Sequence, residues 1–296
     1  MKYVVTGSLG NISKPLAERL VAAGHKVTVI SSKADKIAQI EAIGAKAAIG
    51  SVEDIAFLTN TFSGADAVYT MVPPNFGSGN WKKYIAGIGQ NYAIAIKAAG
   101  VKNIVNLSSI GAHMPDKCGP VSGLFYVEKV LNYLDSVNVR HLRPGFFYPN
   151  FLGNIGMIKH MGIIGSNYGE GSKLVLVHPD DIAEAAAEEL LGLSFKGNSI
   201  RYVASDEKTT HEVAAILGKA IGKPDLPWID LKDEDLRAGM VQAGLPEEIA
   251  KNYTEMGAAM RSAEMASDYN LHRPAVFGKT KLEAFATVFA AIYAQS

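Results

Sequence analysis

A short apolar run, Lys2-Tyr3-Val4-Val5-Thr6, passes without a spacer into Gly7-Ser8-Leu9-Gly10-Asn11-Ile12-Ser13 and then into a helical pattern. Glycines at i and i+3, with a small residue at i+6, stand where the chain leaves a strand and opens a helix. Backbone N–H groups and the positive end of the helix dipole converge there, which suits a phosphate. Gly7 allows the tight turn, and Gly10 lets the backbone approach a ligand where a Cβ would intrude. Ser13 takes a position that serves helix-to-strand packing. Pro15 is tolerated because its missing N–H would have no partner in the first turn. The bland alternative is a tight loop without a ligand. Position at the first β-to-α junction favours a dinucleotide pyrophosphate held by Gly7, Ser8, Leu9, Gly10, Asn11 and Ile12.

The rest of the chain extends that unit. Strands are expected at Lys2–Thr6, Lys26–Ser31, Ala45–Ile49, Ala67–Met71, Asn103–Ser108 and Asn138–Arg143, with helices beginning near Ile12, Ala34, Asp54, Trp81 and Phe125. This alternation predicts an α/β fold: a doubly wound parallel sheet of the Rossmann type, with its ligand beyond the carboxyl ends of the strands. From Gly145 to Gly171 the periodicity weakens, as in a long loop over a site. Leu174–Val177, a helix from Pro179 to about Leu191 and Ser199–Ala204 read as a return to the sheet. Helices at Thr210–Ile221 and Pro246–Ala266 then predict a smaller, mostly helical C-terminal cap lobe. The expected division is residues 1–150 plus about 174–205 for the nucleotide domain, and about 151–173 with 206–296 for the cap.

The second strand ends in Ser31-Ser32-Lys33, where NAD-binding chains usually carry a carboxylate for the ribose 2′-hydroxyl. No carboxylate repels a 2′-phosphate here. Lys33 and two hydroxyls can accept one, each charge-assisted contact being worth about 1.5–3 kcal/mol. NADP(H) is therefore favoured over NAD(H), against the alternative of a solvated turn.

Lys plus Arg and Asp plus Glu each number 29, so the formal net charge is zero and nothing recommends nucleic acid as a partner. The single cysteine, Cys118, excludes an internal disulfide and a CxxC pair. His160, His178, His211 and His272 show no metal-ligand spacing, so no metal is expected. Neither a signal segment nor a membrane-length apolar run is apparent, and a cytoplasmic protein is expected.

Further motifs follow in order: Val72-Pro73-Pro74, Asn106-Leu107-Ser108-Ser109, Leu142-Arg143-Pro144-Gly145-Phe146-Phe147 and His178-Pro179-Asp180-Asp181-Ile182-Ala183. With the glycine turn, they resemble the NmrA-like branch of the atypical short-chain dehydrogenase/reductase superfamily over nearly the whole chain. The resemblance implies that Val72, Pro73, Leu107, Ser108, Pro144 and Phe146 border the nicotinamide and substrate. It also implies a Tyr-x-x-x-Lys pair with a nearby serine in catalytically typical members. This chain departs from that pattern: Tyr126 is followed by Lys129 at i+3, and the serine position falls near Ser109 or on Ile110.

Tyr126, Lys129, Ser109 and His113 are candidates for proton transfer, each with an ordinary packing or surface role as the alternative. Tyr148 and Asn150 are candidate pocket residues for a flat substrate. Methionines at 157, 161, 240, 256, 260 and 265 suit either an adaptable pocket or an irregular core. The expected function is an NADP(H)-dependent oxidoreductase handing hydride to a planar apolar acceptor, such as a quinone or an activated carbonyl. The rival is a non-catalytic NADP(H) sensor with a protein partner.

Overall fold

The computed structural model describes residues 1–296. Strand and helix alternate through the first half: β1 (Lys2–Val5), α1 (Ser13–Ala22), β2 (Lys26–Ser31), α2 (Ile37–Ala42), β3 (Lys46–Ile49), α3 (Ile55–Phe62), β4 (Ala67–Thr70), α4 (Trp81–Ala99), β5 (Asn103–Leu107), α5 (Val121–Asn132) and β6 (Asn138–Pro144). Side chains fix two helix starts, Asp54 accepting the Phe57 amide for α3 and Asn80 the Lys83 amide for α4. Helix α5 starts at Val121, earlier than expected. The chain continues through β7 (Phe146–Phe147), α6 (Ile155–Met161), β8 (Ile164–Ser166), β9 (Lys173–Val177), α7 (Pro179–Gly192), β10 (Asn198–Val203) and β11 (Asp206–Thr209). It closes with α8 (Thr210–Ala220), β12 (Trp228–Asp230), α9 (Asp233–Gln242), α10 (Glu247–Arg261), α11 (Ser267–Leu271) and α12 (Leu282–Gln295).

Seven strands form one sheet in the order β3-β2-β1-β4-β5-β6-β10, every neighbouring pair parallel. A parallel sheet is stable only when covered on both faces. On one face α1 and α7 bring Leu16, Leu20, Ile182 and Leu190 against Val5, Tyr69 and Val105. On the other, Leu58, Phe62, Tyr92 and Leu131 pack against Val4, Val68 and Ile104. The alternation of side chains along a strand sends Val4 and Val5 to these opposite cores. Strand order reverses between β1 and β4, which opens a crevice beyond their carboxyl ends. This is the doubly wound α/β architecture expected.

Two expectations change. Leu174–Val177 does not return to the large sheet, because β9 pairs antiparallel with β11 and parallel with β7 in a three-stranded sheet. Residues 145–171 are not one long loop but β7, a 3₁₀ segment Tyr148–Asn154, α6 and β8, the last paired with β12. Their side chains Tyr148, Phe151, Ile158 and Ile164 join Leu176, Leu217 and Phe289 in a third core. Elements this short do not repeat often enough to display a strand or helix period.

A buried polar strip crosses β4, β5 and β6. Thr70 donates to Asn106 Oδ1 at 2.9 Å, Asn106 Nδ2 to His141 Nδ1 at 3.1 Å, and His141 Nε2 to Asn132 Oδ1 at 2.9 Å. His141 is thereby held as the neutral tautomer. Burial brings its pKa down to about 4.

Candidate functional site

The glycine turn is built for close approach. Gly7 has φ +91°, and a Cβ there would lie 2.5 Å from Ser13 Oγ and 2.9 Å from Met71. Ser13 is buried and donates to the Thr6 carbonyl at 2.8 Å, locking α1 onto β1. Ser8 holds a left-handed φ of 54°; its amide donates to the Ile30 carbonyl at 3.0 Å and its hydroxyl to Ser31 Oγ at 2.9 Å. The turn is thus tied to the end of β2. No side chain caps the first turn of α1, and no acidic residue lies in it. The positive end of the helix is open to an anion.

A cleft of about 650 Å³ opens at this point. Gly7, Ser8, Gly10, Asn11, Ile12, Ser31, Ser32, Pro73 and Leu107 line it, so sequence-selected residues from four β-to-α junctions come together. Gly50, Ser51, Val52 and Glu53, following β3, form a wall that sequence reasoning missed; position after a strand's carboxyl end was the available signal. Ser13, Ile30, Tyr69, Met71, Pro74, Asn75, Tyr84 and Phe147 complete the lining. The Tyr69 hydroxyl is buried without a hydrogen-bond partner, and burial pushes its pKa up, with Tyr92 adding to the effect. Burial, then Glu53, likewise raises the Tyr84 phenol. An uncapped helix start at the cleft, a turn that a Cβ would fill and an orphaned hydroxyl in the same lining fit a dinucleotide.

The remaining sequence candidates lie elsewhere. Lys33 is exposed beside the cleft, its amide donating to Ser31 Oγ at 3.2 Å. Leu9 packs on the α1–α7 core and Val72 on the opposite one. Pro144 is buried at the end of β6. Phe146 turns into the third core, 5.2 Å from the Phe151 ring, while its neighbour Phe147 faces the cleft. Tyr148 is fully buried and donates to the Thr280 carbonyl at 3.0 Å; burial, followed by nearby carboxylates, raises its pKa. Asn150 is exposed.

None of the four proton-transfer candidates lines the cleft. Tyr126 and Lys129 point outward from α5, the tyrosine 44% exposed. His113 Nε2 lies 3.0 Å from Ser267 Oγ, against the C-terminal segment. Ser109 is half-buried, and the buried Ser108 donates to Glu128 Oε1 at 2.5 Å. The polar group expected at the end of β5 is therefore engaged within the protein.

A larger concavity, about 850 Å³, runs along the edge strand β10. Its cations are already paired, Arg140 with Glu189, Arg201 with Glu188 and Glu189, and Lys279 with Glu184, and no phosphate-binding turn borders it. The smaller cleft has the stronger claim as the nucleotide site. The structure holds no cluster of three or more potential metal ligands, and no helix is long and apolar enough to cross a membrane.

Comparisons with known proteins agree with the geometry. Over 264 residues the chain is 24% identical to a (4-alkanoyl-5-oxo-2,5-dihydrofuran-3-yl)methyl phosphate reductase of Streptomyces griseus, covering 89% of each chain. It is 26% identical over 257 residues to an NAD(P)H azoreductase of Xenophilus azovorans, covering 86% of each. The fold superposes on an NADPH-dependent quinone oxidoreductase of Escherichia coli, solved with NADPH, at a TM-score of 0.83 and 22% identity, covering 97% of this chain and 99% of that one. Residues 7–136 match the family model described as NAD(P)H-binding, a span that runs from the glycine turn to just past the end of α5.

Proposed function

We propose that this chain is an NADPH-dependent reductase of the NmrA-like atypical short-chain type that delivers hydride to a planar, conjugated acceptor such as a quinone. One observation carries the reading: a single cleft is lined both by the phosphate-ready glycine turn and by the apolar side chains of Met71, Pro73, Leu107 and Phe147. Gly7, Gly10 and the start of α1 hold the pyrophosphate, while Ser31, Ser32 and Lys33 receive the 2′-phosphate. Met71, Leu107 and Phe147 exclude water and orient the ring. A bound nicotinamide supplies a hydride, and the acceptor completes its reduction with a proton from water, so no side-chain acid is required.

The reductase names of the two relatives and the NADPH bound in the structural neighbour support the reading. We assign the nucleotide-binding unit to residues 1–144 with α7 and β10, and to the lobe the third core together with β7, β9 and β11, which pair with one another outside the large sheet.

Steady-state oxidation of NADPH with a panel of quinones and azo compounds tests the proposal. Acceptor-dependent turnover, slowed when the transferred hydrogen of NADPH is deuterium, is the expected result. Tight NADPH binding without turnover of any acceptor would favour the non-catalytic sensor, a reading that gains from the engagement of Ser108 by Glu128.

A further inference from the structure

We propose a second ligand site, for a small polyanion, at the opposite end of the sheet from the nucleotide cleft. A cavity of about 670 Å³ lies where β1, β2 and β3 begin, against the C-terminal half of α3. Strand register gathers its charge: Lys2 stands beside Lys26 on the neighbouring strand, and Lys46 beside Thr28. Because Lys26 and Thr28 are two residues apart on β2, all three lysines project to the same face of the sheet. His25 and Asn60 also line the cavity, and no carboxylate does.

The three ammonium groups have no internal use. The lysines that pair with carboxylates lie elsewhere, at Lys14, Lys82, Lys173, Lys208 and Lys279. The last turns of α3 do not claim them either, since Thr61 and Ser63 donate their hydroxyls to the carbonyls of Phe57 and Thr59 at 2.8 Å. Asp66, whose carboxylate accepts the Lys2 amide at 2.7 Å, stands outside the lining.

Lys2, Lys26 and Lys46 are exposed, and three like charges on adjacent strands make a local excess of positive charge that a bound polyanion offsets. Strands lie about 4.8 Å apart, so the row spans roughly 10 Å. That span exceeds one phosphate and fits a ligand carrying two or more anionic groups, such as a phosphorylated metabolite or a nucleoside polyphosphate. The cavity volume is that of a small-molecule site. Occupancy joins the amino ends of β1, β2 and β3, whose carboxyl ends carry the cofactor cleft.

Isothermal titration of inorganic tripolyphosphate into the full chain, with and without saturating NADPH, tests the site. The expected result is one equivalent bound in the presence of NADPH, weakened about a hundredfold or more by combined Lys2→Gln, Lys26→Gln and Lys46→Gln. The same three positions changed to Arg should retain binding, and Lys196→Gln should not alter it. The proposal is overturned if wild type binds no tripolyphosphate, if the triple Gln variant binds it equally, or if only a nucleic-acid oligomer engages these lysines. The lysine variants locate the anion even if NADPH fails to bind, so this result and the cofactor reading stand or fall separately.

Discussion

The Ser108 hydroxyl donates to Glu128 Oε1 at 2.5 Å, and the same carboxylate holds Arg143 through contacts of 2.9 and 2.6 Å. Arg143 also donates to Asp268 at 2.9 Å and to the Tyr202 hydroxyl at 3.1 Å. Both Arg143 and Glu128 side chains are only 6% exposed. Burial works against the Arg143 cation, and the Glu128 partner holds its pKa above the ordinary value nonetheless. A serine at the mouth of the sheet is thereby committed to the ion pair that joins α5 to β6, and through Asp268 to α11.

Removing Glu128 leaves Arg143 buried with Asp268 as its only carboxylate partner. Breaking such a pair from one side costs about 3–5 kcal/mol. Glu128→Ala should lower the urea midpoint accordingly, whereas Ser108→Ala, which leaves the ion pair intact and removes one charge-assisted hydrogen bond, should cost less, about 1.5–3 kcal/mol. Equal losses for the two variants would mean that the ion pair is not the main element.

If the acceptor takes its proton from water, the four side chains first considered for proton transfer are dispensable. General acids contribute about 10²–10⁴-fold to rate. Tyr126→Phe, Lys129→Ala, His113→Ala and Ser109→Ala should each keep kcat within about twofold of wild type. A loss beyond tenfold in any of them, in a folded protein, would identify a proton donor that the cleft geometry misses.

Cofactor choice is assigned to Lys33 with Ser31 and Ser32. Lys33→Ala should weaken NADPH by about ten- to hundredfold and leave NADH nearly unchanged. Parallel fluorescence titrations with the two nucleotides read this directly. Equal weakening of both would place Lys33 outside the 2′-phosphate site.

His141 makes stability depend on pH. Its folded-state pKa is lowered by burial from 6.5 to about 4, so between those values the unfolded chain binds a proton that the native one does not. Its contribution is present above pH 6.5 and lost as pH falls towards 4, amounting to roughly 3 kcal/mol. Urea unfolding across this window should show the decline, and His141→Gln should flatten it. An unchanged slope in the variant would assign the effect to other groups.

The sheet and the glycine turn were legible because each rests on local signals: apolar runs of strand length, turn residues between them, and glycines at a strand-to-helix junction. The region after Pro144 was not. Gly145 passes so close to β9 that a Cβ would lie 2.5 Å from the Val175 carbonyl, a contact no local pattern announces, and beyond it Phe147 faces the cleft while Phe146 packs on the third core. Alternation says that the two differ, not which is which. The wall formed by Gly50–Glu53 was missed because its residues carry no signature of their own and become cleft residues only through their position beyond β3. The engagement of Ser108 depends on Glu128, twenty positions away on another element, which no local pattern reveals.

The proposed reading of the fold rests on a glycine turn that holds a nicotinamide dinucleotide. Fluorescence titration of NADPH into wild type and Gly7→Ala tests it most directly, with urea unfolding as a check on folding. Saturable binding of one NADPH per chain is expected, weakened at least about tenfold in Gly7→Ala, because the new Cβ meets Ser13 and Met71 at a left-handed position. Absence of binding by either NADPH or NADH to the folded wild-type chain would contradict it.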